Sequence, residues 1–311
     1  MDIKDAADEY LASLLRLRPK SRIGYTQRLG VFVSWCHVAQ ITLEGIRPKT
    51  IDLFVTHLAS SHHSHHAGSP LSGDTLAGYI RVVKAFLNWC SQDDEYGDYV
   101  KPILPRRIKV PKTGGNVIET LSDAQVAALR EAAKRNYNEM LKLRDEVIIT
   151  VLFTTGIRAS ELCGLTLGNT HLSPDESYIK VLGKGQKERL LPLDTPTRRL
   201  LHKYIHQERQ FAASPGFPLF VTRAGKEALT VAGLEDVLHR LAAFAGLSGV
   251  NVRPHVFRHT FARNFMLANG NIFLLQKLLG HEHISTTEGY LRKFGSLDVL
   301  ALYRKSEGTQ V

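Results

Sequence analysis

The sequence predicts a mainly α protein with a small antiparallel β-sheet, organised as a helical domain followed by an α+β domain. Three observations carry this expectation. Apolar residues recur at helical spacing along most of the 311 residues. One region alone has a convincing strand pattern: Ser177 to Leu182 (SYIKVL) and Arg189 to Leu193 (RLLPL), joined by the Gly-rich turn GKGQKE. Between Gln92 and about Glu119 the periodicity stops, and DDEYGDYVKPILPRRIKVPKTGGNV supplies three prolines and a Gly-Gly pair.

In chain order, helices are expected over Asp5 to Leu17, Ser21 to Val38 with Pro19 as the break before it, Thr50 to Leu58 opened by Pro48, and Asp74 to Cys90 with Asp74 as N-cap. The loop SSHHSHHAGSPLSG separates the last two. These elements form a helical domain over residues 1–100. An extended basic interdomain linker follows over 101–119, carrying Arg106, Arg107, Lys109 and Lys112. It suits a path along a phosphate backbone, with a solvated tether as the alternative. The second domain, 120–311, opens on TLSDAQV, where Ser122 and Gln125 have capping-box spacing. Helical spacing runs through Ala133 and again from Asn138 to Phe153. After the hairpin, Pro218 to Thr222 (PLFVT) reads as a third strand. Helices are then expected over Thr230 to Ala245, Pro254 to Ala268, Ile272 to Leu279 and Leu297 to Tyr303.

The formal charge is +10, and it is unevenly placed. Residues 1–100 carry 10 Lys+Arg against 11 Asp+Glu, whereas the remainder carries 30 against 19. A basic second half favours a polyanionic partner, although a charged surface alone has the same signature. No stretch is long and apolar enough to span a bilayer. The polar, acidic start MDIKDAADEY is unlike a secretory leader. Cys36, Cys90 and Cys163 are odd in number and lack ligand spacing, so free thiols in the cytoplasm are expected.

Four segments of the second domain concentrate groups that bind phosphate. TTGIRASELCGL holds Arg158, VLGKGQKERLLPL places Lys184 at the hairpin tip, RPHVFRHTFA holds His255 and Arg258 at i, i+3, and LGHEHISTTEGYL holds His281 and Tyr290. Phosphodiester transfer needs this set. Guanidinium forks neutralise the charge that gathers on the nonbridging oxygens. A phenol can attack phosphorus, and a lysine can protonate the leaving 5′-oxygen. Imidazoles can hydrogen-bond the phosphate or manage a proton near neutral pH. Each residue alone is more often a surface charge, a helix-face pair or a half-buried aromatic. The ordered combination is what points to chemistry.

That order, Arg, Lys, His-x-x-Arg, His, Tyr, with the flanks TGIRASELCGL, GKGQKER, HVFRHTFA and LGHEHISTTEGY, resembles the tyrosine recombinase family, also called phage integrases. The match covers the whole second domain; the first resembles the family's core-binding domain in layout. The resemblance implies a DNA strand transferase without cofactor or metal, acting on double-stranded recombination sites. Arg158 and Arg258 would clamp the scissile phosphate and Lys184 would be the general acid. His255 would act as acid or base, and His281 would hydrogen-bond the phosphate. Tyr290 would be the nucleophile, leaving a 3′-phosphotyrosine. Glu161 would brace an active-site group, or be a helix-face charge. Lys187 is a rival for the lysine role, but the family's pattern favours Lys184.

Gly289 stands where the family commonly has a bulkier residue before the tyrosine. The histidines His62, His63, His65 and His66 form a polar loop with no ordered ligand pairing, so no metal site is assigned. The resemblance also implies a homotetramer on two DNA sites, each protomer's two domains clamping a duplex. The apolar residues Leu297, Val299, Leu300, Leu302 and Tyr303 would dock on a neighbour or fold back on their own domain. A cytoplasmic protein, nucleoid-associated in a bacterium, follows. A type IB topoisomerase-like nicking enzyme and a catalytically idle DNA-binding relative remain alternatives.

Overall fold

The computed structural model describes residues 2–17, 19–61, 71–111, 119–135, 139–183, 187–209, 214–225, 227–291, 295 and 298, the side chains of Lys20, Ser61, Glu139, Met140, Asn269, Tyr290 and Leu291 aside. The chain divides into two compact units, Met1–Gly115 and Asn116–Val311.

The first unit is helical: α1 (Ile3–Ser13), α2 (Pro19–Val38), α3 (Pro48–Ser61), α4 (Gly73–Cys90) and the short α5 (Ile103–Arg107). Helix α4 packs on each of the other four. Tyr10, Phe32, Phe54 and Phe86 are buried at the centre, with Tyr10 and Phe86 ring centroids 5.6 Å apart and those of Phe32 and Phe54 4.9 Å apart. Two local expectations change. Pro19 opens α2 rather than standing outside it, because a helix's first turn needs no N–H at that position. Ser72, not Asp74, caps α4: its hydroxyl accepts from Thr75 N–H at 3.2 Å.

The linker is the larger correction. Residues 101–111 are not an extended tether. Leu104 and Ile108 are buried in the first unit's core beside Tyr96 and Val100, and Lys84 Nζ donates to Ile108 O at 3.3 Å. The prolines disguised this, since Pro105 sits inside a helix too short to require its missing N–H. Arg106, Arg107 and Lys109 are exposed, and Lys112 lies outside the described residues. So do His62, His63, His65 and His66.

The second unit begins with α6 (Asp123–Ala133), whose capping box is present: Gln125 N–H donates to Ser122 Oγ and Ser122 N–H to Gln125 Oε1. Next comes α7 (Glu139–Thr155). Val147, Ile148, Ile149, Val151 and Leu152 are all fully buried, so this helix is apolar around most of its circumference and forms the unit's axis. It packs on α6, on α9 (Thr195–Glu208) and on α11 (Pro254–Asn269). The remaining helices are α8 (Ala159–Cys163), α10 (Val231–Phe244), α12 (Ile272–Leu279) and α13 (Ile284–Leu291).

A three-stranded antiparallel sheet runs in the order β1 (Thr170–Leu172), β2 (Ser177–Leu182), β3 (Glu188–Pro192). The predicted hairpin is β2–β3, with Val181 opposite Arg189. Its expected third strand is wrong. Leu219, Phe220 and Val221 are buried in succession, and their backbone bonds go to separate partners, Leu219 N–H to Leu165 O and Leu229 N–H to Phe220 O. The run makes only isolated bridges, Pro218 opposite Thr166 and Val221 opposite Ala228, and joins no ladder of the sheet. β1 takes the third place. The expected helix over Leu297 to Tyr303 lies outside the described residues except for Asp298.

A buried ion network locks this unit. Asp145, with no exposure, accepts from Arg144 Nε at 2.9 Å and Nη2 at 2.7 Å, and from Arg240 Nη2 at 2.7 Å. Arg144 Nη1 also donates to Val221 O at 2.7 Å. The network therefore ties α7 to α10 and to the buried segment after Pro218. Removing the carboxylate strands a buried guanidinium. Asp145→Ala is expected to destabilise the second unit by about 3–5 kcal/mol, the cost of breaking one side of a buried pair. Chemical denaturation checks this, and a change of a few tenths would mean the network contributes little.

Candidate active site

The site is built around the C-terminal end of α12. The last carbonyls of a helix have no partner within it, and they carry the negative end of its dipole. Here three successive carbonyls each accept from a different arginine. Arg189 Nε donates to Leu278 O at 2.9 Å, Arg258 Nη2 to Leu279 O at 2.6 Å, and Arg158 Nη2 to Gly280 O at 3.1 Å. The arginines come from β3, α11 and the N-cap of α8. Gly280 ends α12 in the left-handed region at φ 63°. A Cβ there would lie 3.0 Å from Arg189 Nη1, tighter than an ordinary contact, and the left-handed backbone itself favours glycine.

Glu161 supplies the matching negative charge. Its side chain is 5% exposed and holds Arg189 through a two-bond fork, Nη1 to Oε1 at 2.8 Å and Nη2 to Oε2 at 2.7 Å. Arg158 reaches it through Nη1 at 2.8 Å and through its backbone N–H at 2.9 Å. Burial pushes the carboxyl pKa up, but the hydrogen bonds and charges of Arg189 and Arg158 prevail and hold it down at about 2. Glu161 is thus ionised and bridges two of the three arginines.

The turn before Arg158 is equally constrained. Gly156 has φ 61°, and an added Cβ would lie 2.4 Å from the Phe261 ring, so only glycine fits. Its carbonyl accepts from Arg258 Nη1 at 2.8 Å. Arg258 is 7% exposed and so is anchored to both the glycine turn and α12.

His281 follows Gly280. Its Nε2 stands 3.0 Å from Arg258 Nη2 and its Nδ1 3.0 Å from the hydroxyl of Thr287 on α13. Gln276 Nε2 donates to the His281 carbonyl at 3.1 Å. Burial, then the charges of Arg258, Arg158 and Arg189, hold the imidazole pKa down at about 4, so the ring is neutral at physiological pH.

Of the six residues named for catalysis, the structure brings Arg158, Arg258 and His281 into one network with Glu161. His255 stands exposed on the first turn of α11, its ring centroid 5.8 Å from that of His259. Partial desolvation and then the Arg253 charge lower its pKa. Lys184 lies outside the described residues. Lys187 is exposed, and its carbonyl accepts from Gly183 N–H at 2.8 Å at the hairpin's turn end. Tyr290 lies on α13, three residues after Thr287. Among the described residues no group of three or more His, Cys, Asp or Glu is placed to hold a metal ion, and no helix is long and apolar enough to cross a membrane. Sequence reasoning missed Arg189, Thr287 and the two glycines. Arg189 had a usable signal: it shares a strand face with the buried Leu191, whereas Leu190 is half exposed on the other.

Comparison with known proteins places this site in a family. The profile of the phage integrase family matches residues 119–295. The chain is 30% identical over 279 residues to tyrosine recombinase XerD of Pseudomonas aeruginosa, covering 88% of this chain and 87% of that protein. It is also 30% identical over 286 residues to tyrosine recombinase XerC of Alcanivorax borkumensis, covering 90% and 86%. In fold it is similar to XerH site-specific recombinase in a post-cleavage complex with palindromic difH substrate, with TM-score 0.76, 21% identity, and 98% and 83% of the two chains covered. The Tn1549 transposon integrase with transposon right end DNA gives TM-score 0.74 at 16% identity, covering 100% and 99%. The arginine-lined end of α12 and the helix bearing Tyr290 both fall inside the matched residues, and the chain belongs to the phage integrase family of tyrosine recombinases.

Proposed function

We propose that this chain is a site-specific DNA recombinase that cuts and rejoins DNA through a 3′-phosphotyrosine at Tyr290. The observation that carries the proposal is the gathering of Arg158, Arg189 and Arg258 on the last carbonyls of α12, immediately before His281 and one helix before Tyr290. A cluster of guanidiniums held in place before any substrate arrives suits a transition state rich in negative oxygen.

The roles follow from the chemistry of each group. Arg158, whose side chain is 35% exposed, and Arg258 hydrogen-bond the nonbridging oxygens. The Tyr290 oxygen attacks phosphorus, the bond to the 5′-oxygen breaks, and that oxygen takes a proton from Lys184. His255 accepts the phenolic proton or relays it, and His281 hydrogen-bonds the phosphate. A free 5′-hydroxyl of an exchanging strand then attacks the phosphotyrosine and releases the enzyme. Glu161 and Arg189 touch no reacting atom; they hold Arg158 and the hairpin base. The basic residues Arg106, Arg107, Lys109 and Lys112 contact DNA phosphates outside the site, which makes binding salt-dependent. Strand exchange between two duplexes needs four nucleophiles, so four copies assemble on two recombination sites. The cytoplasm, at the nucleoid in a bacterial cell, is where such DNA lies.

Two outcomes are expected. Tyr290→Phe removes only the attacking oxygen. It should retain DNA binding and form no covalent adduct with a nicked duplex carrying the recombination site; an adduct that persists in this variant refutes the assignment. The second concerns pH. An ordinary histidine titrates near ~6.5, whereas His281 is held at about 4. Between these values the unfolded chain binds a proton that the folded chain does not. Stability is therefore fully present above the upper value and declines as pH falls through the window. Imidazole titration followed by NMR should place the His281 midpoint near 4; a midpoint at the ordinary value would mean that burial and the arginine charges do not act on it as the geometry implies.

A further inference from the structure

The hydrogen bonds at His281 fix where its proton sits. A guanidinium carries only N–H groups and cannot accept. With Arg258 Nη2 at 3.0 Å, Nε2 of His281 must present its lone pair. The neutral ring then carries its single proton on Nδ1, and the Thr287 hydroxyl 3.0 Å away accepts it. Thr287 is fully buried, so this partner is not exchanged for bulk water.

This tautomer cannot donate to a phosphate through Nε2. Phosphate oxygens accept, and Nε2 offers no hydrogen while Arg258 engages it. The partner on the other side of the ring decides whether that can change. A backbone carbonyl or a carboxylate in place of Thr287 would only accept, and would lock the proton on Nδ1. A hydroxyl can accept or donate. We propose that Thr287 is a positioning residue that lets His281 exchange tautomers: its hydroxyl accepts from Nδ1–H while Arg258 holds Nε2, and donates to Nδ1 when Nε2–H turns to a phosphate oxygen. This deepens the proposed function and rests on that reading for the identity of the phosphate.

The exchange is balanced. Nε2 takes a proton from water on the phosphate side and Nδ1 gives one up to water during a transient opening of the ring from Thr287, so the ring is neutral before and after. The threonine hydrogen rotates about the Cβ–Oγ1 bond. Arg258 Nη2, released from the ring, keeps its bond to Leu279 O and turns its second hydrogen to the phosphate. One binding event thereby converts an Arg–His contact into two donors on the same anion. Because Thr287 lies on α13 with Tyr290, the same helix carries both the nucleophile and the group that sets the histidine's proton.

The test uses the full-length protein with 15N-labelled histidine, the His281 ring signals being assigned by a His281→Asn variant. Ring nitrogens are observed with and without saturating orthophosphate in the wild type, Thr287→Val and Thr287→Ser. The wild type and Thr287→Ser should carry the proton on Nδ1 without phosphate and on Nε2 with it. Thr287→Val, of the same shape but without the hydroxyl, should fail to exchange. On DNA, Thr287→Val should form the covalent adduct about 10–100-fold more slowly at unchanged affinity, by analogy with losing the partner that orients a metal-bound histidine. Thr287→Ser should restore the rate. A wild-type ring that keeps its Nδ1 proton in phosphate overturns the proposal, as does a Thr287→Val protein that exchanges like the wild type. Failure of the recombinase reading looks different: tautomer exchange would occur in phosphate, yet the wild type would form no DNA adduct.

Discussion

Three guanidiniums share one end of one short helix, and the rest of the site depends on how that is tolerated. Like charges brought together repel, and in a half-buried setting the repulsion is poorly screened. Two features offset it. The terminal carbonyls of α12 present three partial negative charges that the helix itself cannot satisfy, and each takes an N–H from a different arginine. Glu161 adds a full negative charge between Arg158 and Arg189. The arginines are therefore held in place by the protein's own groups.

Because the three arginines come from β3, α11 and the cap of α8, the site also joins elements far apart in sequence. Gly156 and Gly280 permit the joins: one places a carbonyl on Arg258 where any Cβ would strike Phe261, the other lets Arg189 pass across the end of α12. The glycines in TTGIRA and LGHEH thus shape the arginine cluster. The same network reaches α13 through His281 and Thr287, so the helix of Tyr290 is tied to the arginine cluster by hydrogen bonds as well as by packing.

Much of this was legible in the sequence, for identifiable reasons. The long helices announced themselves by apolar period, and α6 by its capping box. Arg158, Arg258, His281 and Tyr290 stood out because their flanks are distinctive, and Glu161 by its position one turn after Arg158. Helix α9 was left unassigned although Asp194 and Pro196 are strong opening signals; only Thr197, Leu201 and Tyr204 are buried along it, so its apolar stripe is thin. α5 hid behind its proline. β1 is three residues long, too short for alternation to register. Arg189 was overlooked because a lone arginine in a strand normally faces solvent, and its burial depends on Glu161 and Leu278, distant in the chain. Thr287 was invisible for the same reason, since its meaning comes from the ring that it meets.

If the charge on Glu161 is what holds the cationic cluster in working order, neutralising it without changing its shape should cost activity and little else. Glu161→Gln keeps the volume and one acceptor oxygen but loses the charge and the two-bond fork to Arg189. The deciding measurement is the rate of covalent adduct formation on a nicked recombination site, at a temperature where circular dichroism shows the variant folded and at saturating DNA. A rate at least about tenfold below wild type is expected, by analogy with losing a partner that orients a metal ligand. A folded Glu161→Gln protein that forms the adduct at the wild-type rate would contradict it.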